Sequence, residues 1–157
     1  KTHAQAANLP WRGGTAAGRF VIVSRNPLDA LVSAYHHSRT LPPGELRFGG
    51  DLEGFAPLWE DGRATFGGGC YWDWHLGWWA EHQRGGGRVL WVQYEDMVRD
   101  LEGEVGRIAA FLGLEARGEV VEATARESGF ARMKARLDAE EESRRRARGV
   151  GQRRRVR

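Results

Sequence analysis

Residues 22–37 read IVSRNPLDALVSAYHH, and they join an apolar run to a segment with helical spacing. The β-branched run 19–24 predicts a buried strand in a parallel sheet. Asn26 is a favourable helix cap, Pro27 suits the first helical turn, and Asp29 favours the positive end of the helix dipole. A strand that passes at once into a helix indicates an α/β layer architecture.

The same two patterns recur further along the chain. Residues 89–92 predict a second buried strand. Two strands are few for a complete parallel sheet, so we expect further elements upstream of Lys1. The helical spacing of Trp72, Trp78 and Trp79 indicates core residues rather than ligand contacts. Beyond the helix that follows residue 26, helices are predicted over residues 51–60, 71–84, 95–112 and about 116–127, with polar, irregular structure after them.

The bulk composition is that of one globular domain. The 157 residues are 41% hydrophobic and 29% charged. No apolar run is long enough to span a membrane and no signal peptide is evident, so we expect a cytoplasmic protein without membrane contacts. A single cysteine, Cys70, forms no internal disulfide and suits a reducing compartment. A first residue other than Met indicates a piece of a longer protein.

The charge is distributed unevenly along the chain. Residues 144–157 carry eight arginines and no acid, so the rest of the chain has a net charge of −5 against +3 for the whole. A basic end of this kind is usually solvated and flexible. The other interpretation is a contact with nucleic acid or another polyanion.

Arg25 stands at the joint between the first strand and its helix. The carboxyl ends of parallel strands face the crevice where ligands bind, and a helix N-terminus attracts anions. The guanidinium fork suits phosphate, and Ser33 offers a hydroxyl two turns into the helix. These features fit a phosphate clamp. The alternative is a structural ion pair between Arg25 and a carboxylate, which the pattern alone slightly favours.

Several stretches together resemble one enzyme family. Residues 23–37 resemble the 3′-phosphate-binding motif of the cytosolic-type sulfotransferases, with its Arg-Asn-Pro-x-Asp core followed by Val-Ser-x-Tyr. The resemblance implies the family's three-layer α/β P-loop-type fold with a parallel sheet, incomplete at the N-terminus. It makes residues 1–134 the C-terminal portion of a sulfotransferase domain and 135–157 a basic, flexible tail. Further stretches that match family motifs in the same order are 1–3, 69–79, 94–97, 108–113 and 128–134. For 69–79 the family motif is Gly-Ser-x-x-Asp-His-Val-Leu-Gly-Trp-Trp, against Gly-Cys-Tyr-Trp-Asp-Trp-His-Leu-Gly-Trp-Trp here.

The resemblance also implies a reaction. It is the transfer of a sulfuryl group from 3′-phosphoadenosine 5′-phosphosulfate (PAPS) to a hydroxyl or amine of a small molecule. His3 matches the family's general base, and histidine is the residue type most often used to accept a proton in catalysis. Lys1 matches the lysine beside the transferring group. The family's mechanism uses no metal, and the sequence offers no ligand cluster for one.

The donor nucleotide has its own implied residues. By resemblance, Arg25 and Ser33 hold the 3′-phosphate, and Tyr94 and Phe130 border the adenine. Ser128 stands where the family usually has threonine and keeps the hydroxyl. Without the resemblance, the two aromatic residues would be ordinary core residues.

Three features depart from the family pattern. The phosphosulfate-binding segment Pro-Lys-x-Gly-Thr-Thr is absent and is expected upstream of Lys1. Residues 148–153 are the nearest match to the closing loop Arg-Lys-Gly-x-x-Gly-Asp-Trp. There Arg148 and Gly149 are either a degenerate phosphate-closing loop or part of an unrelated tail. Trp74 replaces a histidine near the acceptor, so the acceptor stays open among flavonoids, steroids, phenols and other small alcohols.

Three alternatives remain. A nucleotide kinase would share the architecture but not the motifs at 1–3 and 94–97. A polyanion-binding module would use the arginine-rich tail and would bind with a steep salt dependence. A non-catalytic fragment would bind nucleotide without transfer. Nucleic acid is the less favoured partner, and the sequence leaves the oligomeric state open.

Overall fold

The computed structural model describes residues 2–9, 18–43, 47–64, 69–115 and 117–153, and the side chains at 141 and 144–153 are not described. The chain divides into two compact units, Lys1–Arg99 and Asp100–Arg157. Each unit is considered by itself. None of the helices in the described ranges is long and apolar enough to cross a membrane.

The first unit is an α/β structure built on two parallel strands. In chain order, its elements are a 3₁₀ turn at Ala6–Asn8, β1 at Phe20–Ser24, α1 at Pro27–Thr40, α2 at Leu52–Glu60, α3 at Tyr71–Gln83, β2 at Val89–Gln93 and α4 at Tyr94–Arg99. The strands pair in parallel register, with Phe20 opposite Val89 and Ser24 opposite Gln93. Both predicted strands, their parallel pairing and the α/β class are confirmed.

The start of α1 has the geometry that its sequence predicts. The side-chain oxygen of Asn26 accepts the backbone N–H of Leu28 at 2.9 Å and that of Asp29 at 3.4 Å. Pro27, which has no N–H to satisfy, occupies the first helical position. Only two residues separate β1 from α1, so the side chain of Arg25 is held at the carboxyl end of the strand.

Two apolar clusters form the core of the first unit. Ala6, Ile22, Trp78 and Val89 pack between the sheet and α3. Tyr35, Phe55 and Trp59 pack between α1 and α2.

The tryptophans of α3 divide between the core and the surface. Trp78 is 1% exposed, which confirms its predicted burial. Trp72 and Trp79 are 52% and 45% exposed, so the prediction for these two residues is wrong. Both lie at the border of the helix face that packs inward, so helical spacing alone does not distinguish them from the buried Trp78. The inward face of α3 carries Tyr71, Trp74, His75 and Trp78.

The second unit contains α5 at Leu101–Leu112, α6 at Gly118–Ser128 and α7 at Phe130–Arg153. The predicted single helix over 95–112 is wrong, because it is interrupted at Asp100. The backbone of Asp100 is not helical, and its carboxylate accepts the N–H of Gly103 at 2.9 Å. This contact caps α5 and separates it from α4. Gly113 ends α5 in the left-handed conformation, at a φ of 75°.

The chain after residue 134 is helical rather than irregular. α7 continues through Arg153. Residues 130–148 are rich in Ala, Arg, Glu, Lys and Leu, which are strong helix formers, so high polarity alone was a poor guide. The division into a domain over 1–134 and a flexible tail stays a prediction.

Candidate functional site

Arg25 has an unusual environment for a structural arginine. Its guanidinium carbon lies 4.6 Å from the centre of the Tyr94 ring, which is within cation–π range. Its Nε atom is buried and has no hydrogen-bond partner among the described residues. Within the same ranges, no carboxylate lies at ion-pair distance from it. The ion-pair alternative therefore lacks a partner there, while an anionic oxygen would satisfy the buried N–H.

The backbone after Arg25 is tied to α4. The carboxylate of Glu95 accepts the N–H of Asn26 at 2.8 Å. That bond, a second one from the N–H of Glu95 itself and the charge of Arg25 hold the pKa of Glu95 below its usual range. The carboxylate is therefore ionised at neutral pH.

The N-terminal N–H groups of α1 are already occupied. Asn26 donates to Glu95, the N–H groups of Leu28 and Asp29 donate to the side chain of Asn26, and Ala30 donates to the carbonyl of Asn26. An anion at this joint would therefore rely on the guanidinium of Arg25 rather than on free amides. Ser33, the second predicted phosphate ligand, is exposed in the second turn of α1.

A cavity of about 660 Å³ brings together residues that are distant in sequence. His3, which is exposed, and Arg25 both line it. Residues 20–23 also line it, although successive strand residues point to opposite faces of a sheet. The cavity therefore follows the edge of β1 that faces away from β2. Its aromatic wall consists of Phe20, Trp59, Tyr71, Trp74 and Trp78.

His75, which the sequence interpretation did not single out, lies beside this joint. Its Nδ1 is 2.9 Å from the carbonyl oxygen of Tyr71, and its Nε2 is 2.8 Å from the hydroxyl of Ser24. A carbonyl only accepts, so Nδ1 carries the proton and Nε2 of the neutral ring accepts from Ser24. Burial lowers the pKa of His75, and the Tyr71 carbonyl partly opposes this. The sequence feature that could have pointed to His75 is that the family motif has valine at this position.

The predicted site residues divide between the two units. His3, Arg25, Ser33 and Tyr94 lie in the first unit, whereas Ser128 ends α6 and Phe130 begins α7 in the second. Phe130 is 74% exposed. The grouping of these six residues into one site stays a prediction.

Three further predicted residues are only partly described or lie outside the described ranges. Lys1 lies outside them. Arg148 and Gly149 lie on the helical backbone of α7, without described side chains, where the resemblance implies a loop. Their role toward phosphate stays a prediction.

Trp74 lines the cavity where the family motif carries histidine. Its ring centre lies 5.0 Å from that of His75, at an interplanar angle of 64°. Across the described part of the chain, no group of three or more His, Cys, Asp or Glu side chains is arranged to hold a metal ion.

Comparisons with known proteins agree on one family. The model of a sulfotransferase domain matches residues 1–156. The chain is 33% identical to the amine sulfotransferase of Oryctolagus cuniculus over 116 residues, which cover 74% of this chain and 36% of that protein. It is 32% identical to cytosolic sulfotransferase 12 of Arabidopsis thaliana over 111 residues, which cover 71% of this chain and 33% of that protein.

The fold comparison points the same way. The crystal structure of mouse sulfotransferase SULT7A1 complexed with PAP matches 74% of this chain and 40% of that chain, with a TM-score of 0.65 and 28% identity. The chain thus spans between about a third and two fifths of the length of these relatives.

Proposed function

Because this chain belongs to the sulfotransferase family, we propose that its protein transfers a sulfuryl group from PAPS to the hydroxyl or amine of a small molecule. The donor would supply the sulfuryl group and leave as adenosine 3′,5′-bisphosphate. The bond between sulfur and the donor's phosphate oxygen breaks, and a bond between sulfur and the acceptor atom forms.

The observation that carries this proposal is the buried Nε of Arg25, for which the described part of the chain offers no hydrogen-bond partner. A guanidinium N–H without a partner is costly unless a ligand satisfies it, and a phosphate oxygen is the acceptor that suits its charge and geometry. The ring of Tyr94 beneath the guanidinium supports an adenine subsite next to the phosphate. Ser33 would add a hydroxyl from α1.

The charge balance at the joint makes Arg25 essential to this proposal. Glu95 is ionised, and it holds the N–H of Asn26 that a phosphate would otherwise use. A second anion at the joint therefore needs a compensating cation. Arg25 is the residue that supplies it in this proposal, so its removal should leave a site that repels phosphate.

His3 would act as the general base. Its neutral imidazole would accept the acceptor's proton while the sulfuryl group moves, and Lys1 would stabilise charge on the sulfuryl oxygens. Support for His3 comes from its place on the wall of the cavity that Arg25 also lines. A cytoplasmic location belongs to the same proposal, supported by the similarity to a cytosolic plant sulfotransferase.

Ser128 and Phe130 would complete the adenine side, and Arg148 and Gly149 would approach the 3′-phosphate. These four assignments rest on the motif match. A second candidate function, polyanion binding by residues 144–157, is supported by their eight arginines and lack of acids. It would show weak base discrimination and a steep salt dependence.

A nucleotide-binding comparison tests the proposal. Calorimetric titration of the protein with adenosine 3′,5′-bisphosphate and with 5′-AMP should show a preference for the bisphosphate. Arg25→Ala should reduce that preference about tenfold or more, because a charge-assisted hydrogen bond is lost. Arg63→Ala, which removes an exposed arginine paired with Asp61, is the matched control and should not change it. Equal affinity of the wild type for both nucleotides would contradict the proposed function.

A further inference from the structure

We propose that Tyr71 and His75 of α3 are positioning residues, which hold the main chain at Arg25 and so set the preference for a nucleotide with a 3′-phosphate. This inference rests on the proposed function, because it assigns the support of the proposed phosphate-binding arginine. The family motif leaves the position of Tyr71 open and has valine at that of His75, so neither side chain follows from the motif.

The first contact acts on Arg25 directly. The hydroxyl of Tyr71 donates to the backbone carbonyl of Arg25 at 2.5 Å, across 46 residues of sequence. Burial raises the pKa of Tyr71, and the nearby charge of Glu95 adds to this, so the phenol stays a donor at physiological pH. The neighbouring Ser24 side chain opposes part of this rise in the pKa of Tyr71.

The second contact acts one residue earlier in the chain. Ser24 is 5% exposed, so its hydroxyl needs a partner inside the protein. Nε2 of His75 supplies that partner at 2.8 Å. The imidazole is oriented by its own bond to the carbonyl of Tyr71, which belongs to the preceding turn of α3.

Stacking fixes the position of both rings. The ring centres of Tyr71 and His75 are 3.8 Å apart, with an interplanar angle of 31°. The ring of Trp59 packs on Tyr71 at 5.0 Å, and that of Trp91 meets His75 at 5.7 Å. Because each ring is packed on two sides, the hydroxyl of Tyr71 and Nε2 of His75 are held in place, as positioning of Arg25 requires.

The joint is held from both sides as a result. α3 bonds the side chain of Ser24 and the carbonyl of Arg25, while Glu95 of α4 bonds the N–H of Asn26. Three consecutive residues therefore each have a long-range hydrogen bond. Because the guanidinium reaches its ligand from this segment, a small displacement of the backbone would weaken its contact with phosphate.

If Ser24 and His75 served only to fill the core, apolar side chains at both positions would do so equally well. A buried polar pair contributes little net stability unless it is fully satisfied, and it fixes geometry more closely than apolar contact does. Both ring nitrogens of His75 are bonded here. Full satisfaction of the ring also leaves no free nitrogen for the chemistry, which favours positioning over catalysis.

The test compares two nucleotides in three variants. Tyr71→Phe removes one hydroxyl and keeps the stacked ring, and His75→Val restores the residue of the family motif. His82→Val is the matched control, because His82 lies on the same helix and bonds the carbonyl of Val89 at 3.0 Å, away from the joint. Affinities for adenosine 3′,5′-bisphosphate and 5′-AMP are measured by calorimetry, with a thermal melt of each variant.

We expect Tyr71→Phe and His75→Val each to lower the bisphosphate preference about fivefold, the effect of one ordinary hydrogen bond. The affinity for 5′-AMP should stay the same, and His82→Val should keep the wild-type preference. A purely structural role would instead lower both affinities together with the melting temperature, and that result would overturn the inference. It is also overturned if Arg25→Ala abolishes the preference while Tyr71→Phe and His75→Val retain it. A wild type without any preference overturns the proposed function, and the inference with it.

Discussion

The carboxylate of Glu95 accepts the backbone N–H of Asn26 at 2.8 Å, although 69 residues of sequence separate them. This bond connects the start of α4 to the start of α1. Both helices begin at the carboxyl ends of adjacent parallel strands, where ligands of α/β proteins bind. The contact therefore fixes the spacing between the two residues of the proposed nucleotide site that touch each other, Arg25 and Tyr94.

Glu95→Gln should change the pH dependence of the free energy of unfolding. The pKa of Glu95 is lowered from 4.5 in the folded protein, so its contribution to the free energy of unfolding is complete above that value and is lost as the pH falls through the lowered pKa. Denaturant unfolding between pH 3 and 8 should therefore show the wild type more stable than Glu95→Gln near neutrality. The difference should shrink below about pH 4.5. A constant difference over the whole range would contradict an ionised Glu95.

His75→Val should reduce the pH dependence of the free energy of unfolding, in a pH range above the one that Glu95 affects. Burial lowers the pKa of His75 from 6.5, so the unfolded chain binds a proton more readily than the folded one. The wild type should be most stable above pH 6.5 and lose stability as the pH falls toward the lowered pKa. The loss should be small, because the ring is only half-buried and solvent screens its charge.

The groups facing the His75 ring do not confuse this measurement. Among the described residues they are the hydroxyl of Ser24, the carbonyl and phenol of Tyr71 and the indoles of Trp74 and Trp91. None of them titrates between pH 5 and 8, because the pKa of Tyr71 is raised above its usual value near 10. His75→Val should remove the slope in the wild-type profile between pH 5 and 7. An unchanged slope in that variant would show that another group titrates there.

The strands and the start of α1 could be predicted because they depend on residues that are close together in sequence. The cap at Asn26, the proline after it and the β-branched runs predict β1, α1 and β2 from neighbouring residues alone. Asp100 was missed because an apolar stripe continues across it, while its capping carboxylate depends on backbone geometry. The burial of the tryptophans on α3 depended on which helix face meets the sheet, which spacing alone does not give.

The site was predictable in part. Motif order identified Arg25 and Tyr94, and the structure places the guanidinium of one over the ring of the other. The roles of Glu95 and His75 depend on contacts across 69 and 51 residues, so no local pattern reveals them. The one available signal for His75 was its departure from the family motif, which becomes informative only when Ser24 is seen beside it.

Trp78→Phe should loosen the segment that carries His3. The indole N–H of Trp78 donates to the carbonyl of Ala4 at 3.2 Å, and its ring is 1% exposed in the core next to Ala6. Loss of that bond and of part of the ring should lower the free energy of unfolding by about 1–3 kcal/mol. Amide exchange at residues 4–6 should rise.

The control is Trp79→Phe on the same helix. Trp79 is 45% exposed, so this substitution should change the free energy of unfolding by less than about 1 kcal/mol and leave exchange at residues 4–6 as it is. Equal effects of the two substitutions would mean that Trp78 does not anchor the segment.

His3→Ala should separate nucleotide binding from transfer. The proposed base is exposed on the cavity wall, so its removal should leave the fold and the affinity for adenosine 3′,5′-bisphosphate unchanged. The transfer rate to a phenolic acceptor should fall at least about a hundredfold, the typical effect of losing a general base. His36→Ala, an exposed histidine on α1, is the control and should keep the rate. Because a base acts only on the acceptor's proton, a weakly basic imidazole added in solution should restore part of the rate in His3→Ala. A rate that is insensitive to both the substitution and the added imidazole would remove His3 from the mechanism and leave Arg25 as a nucleotide-binding residue alone.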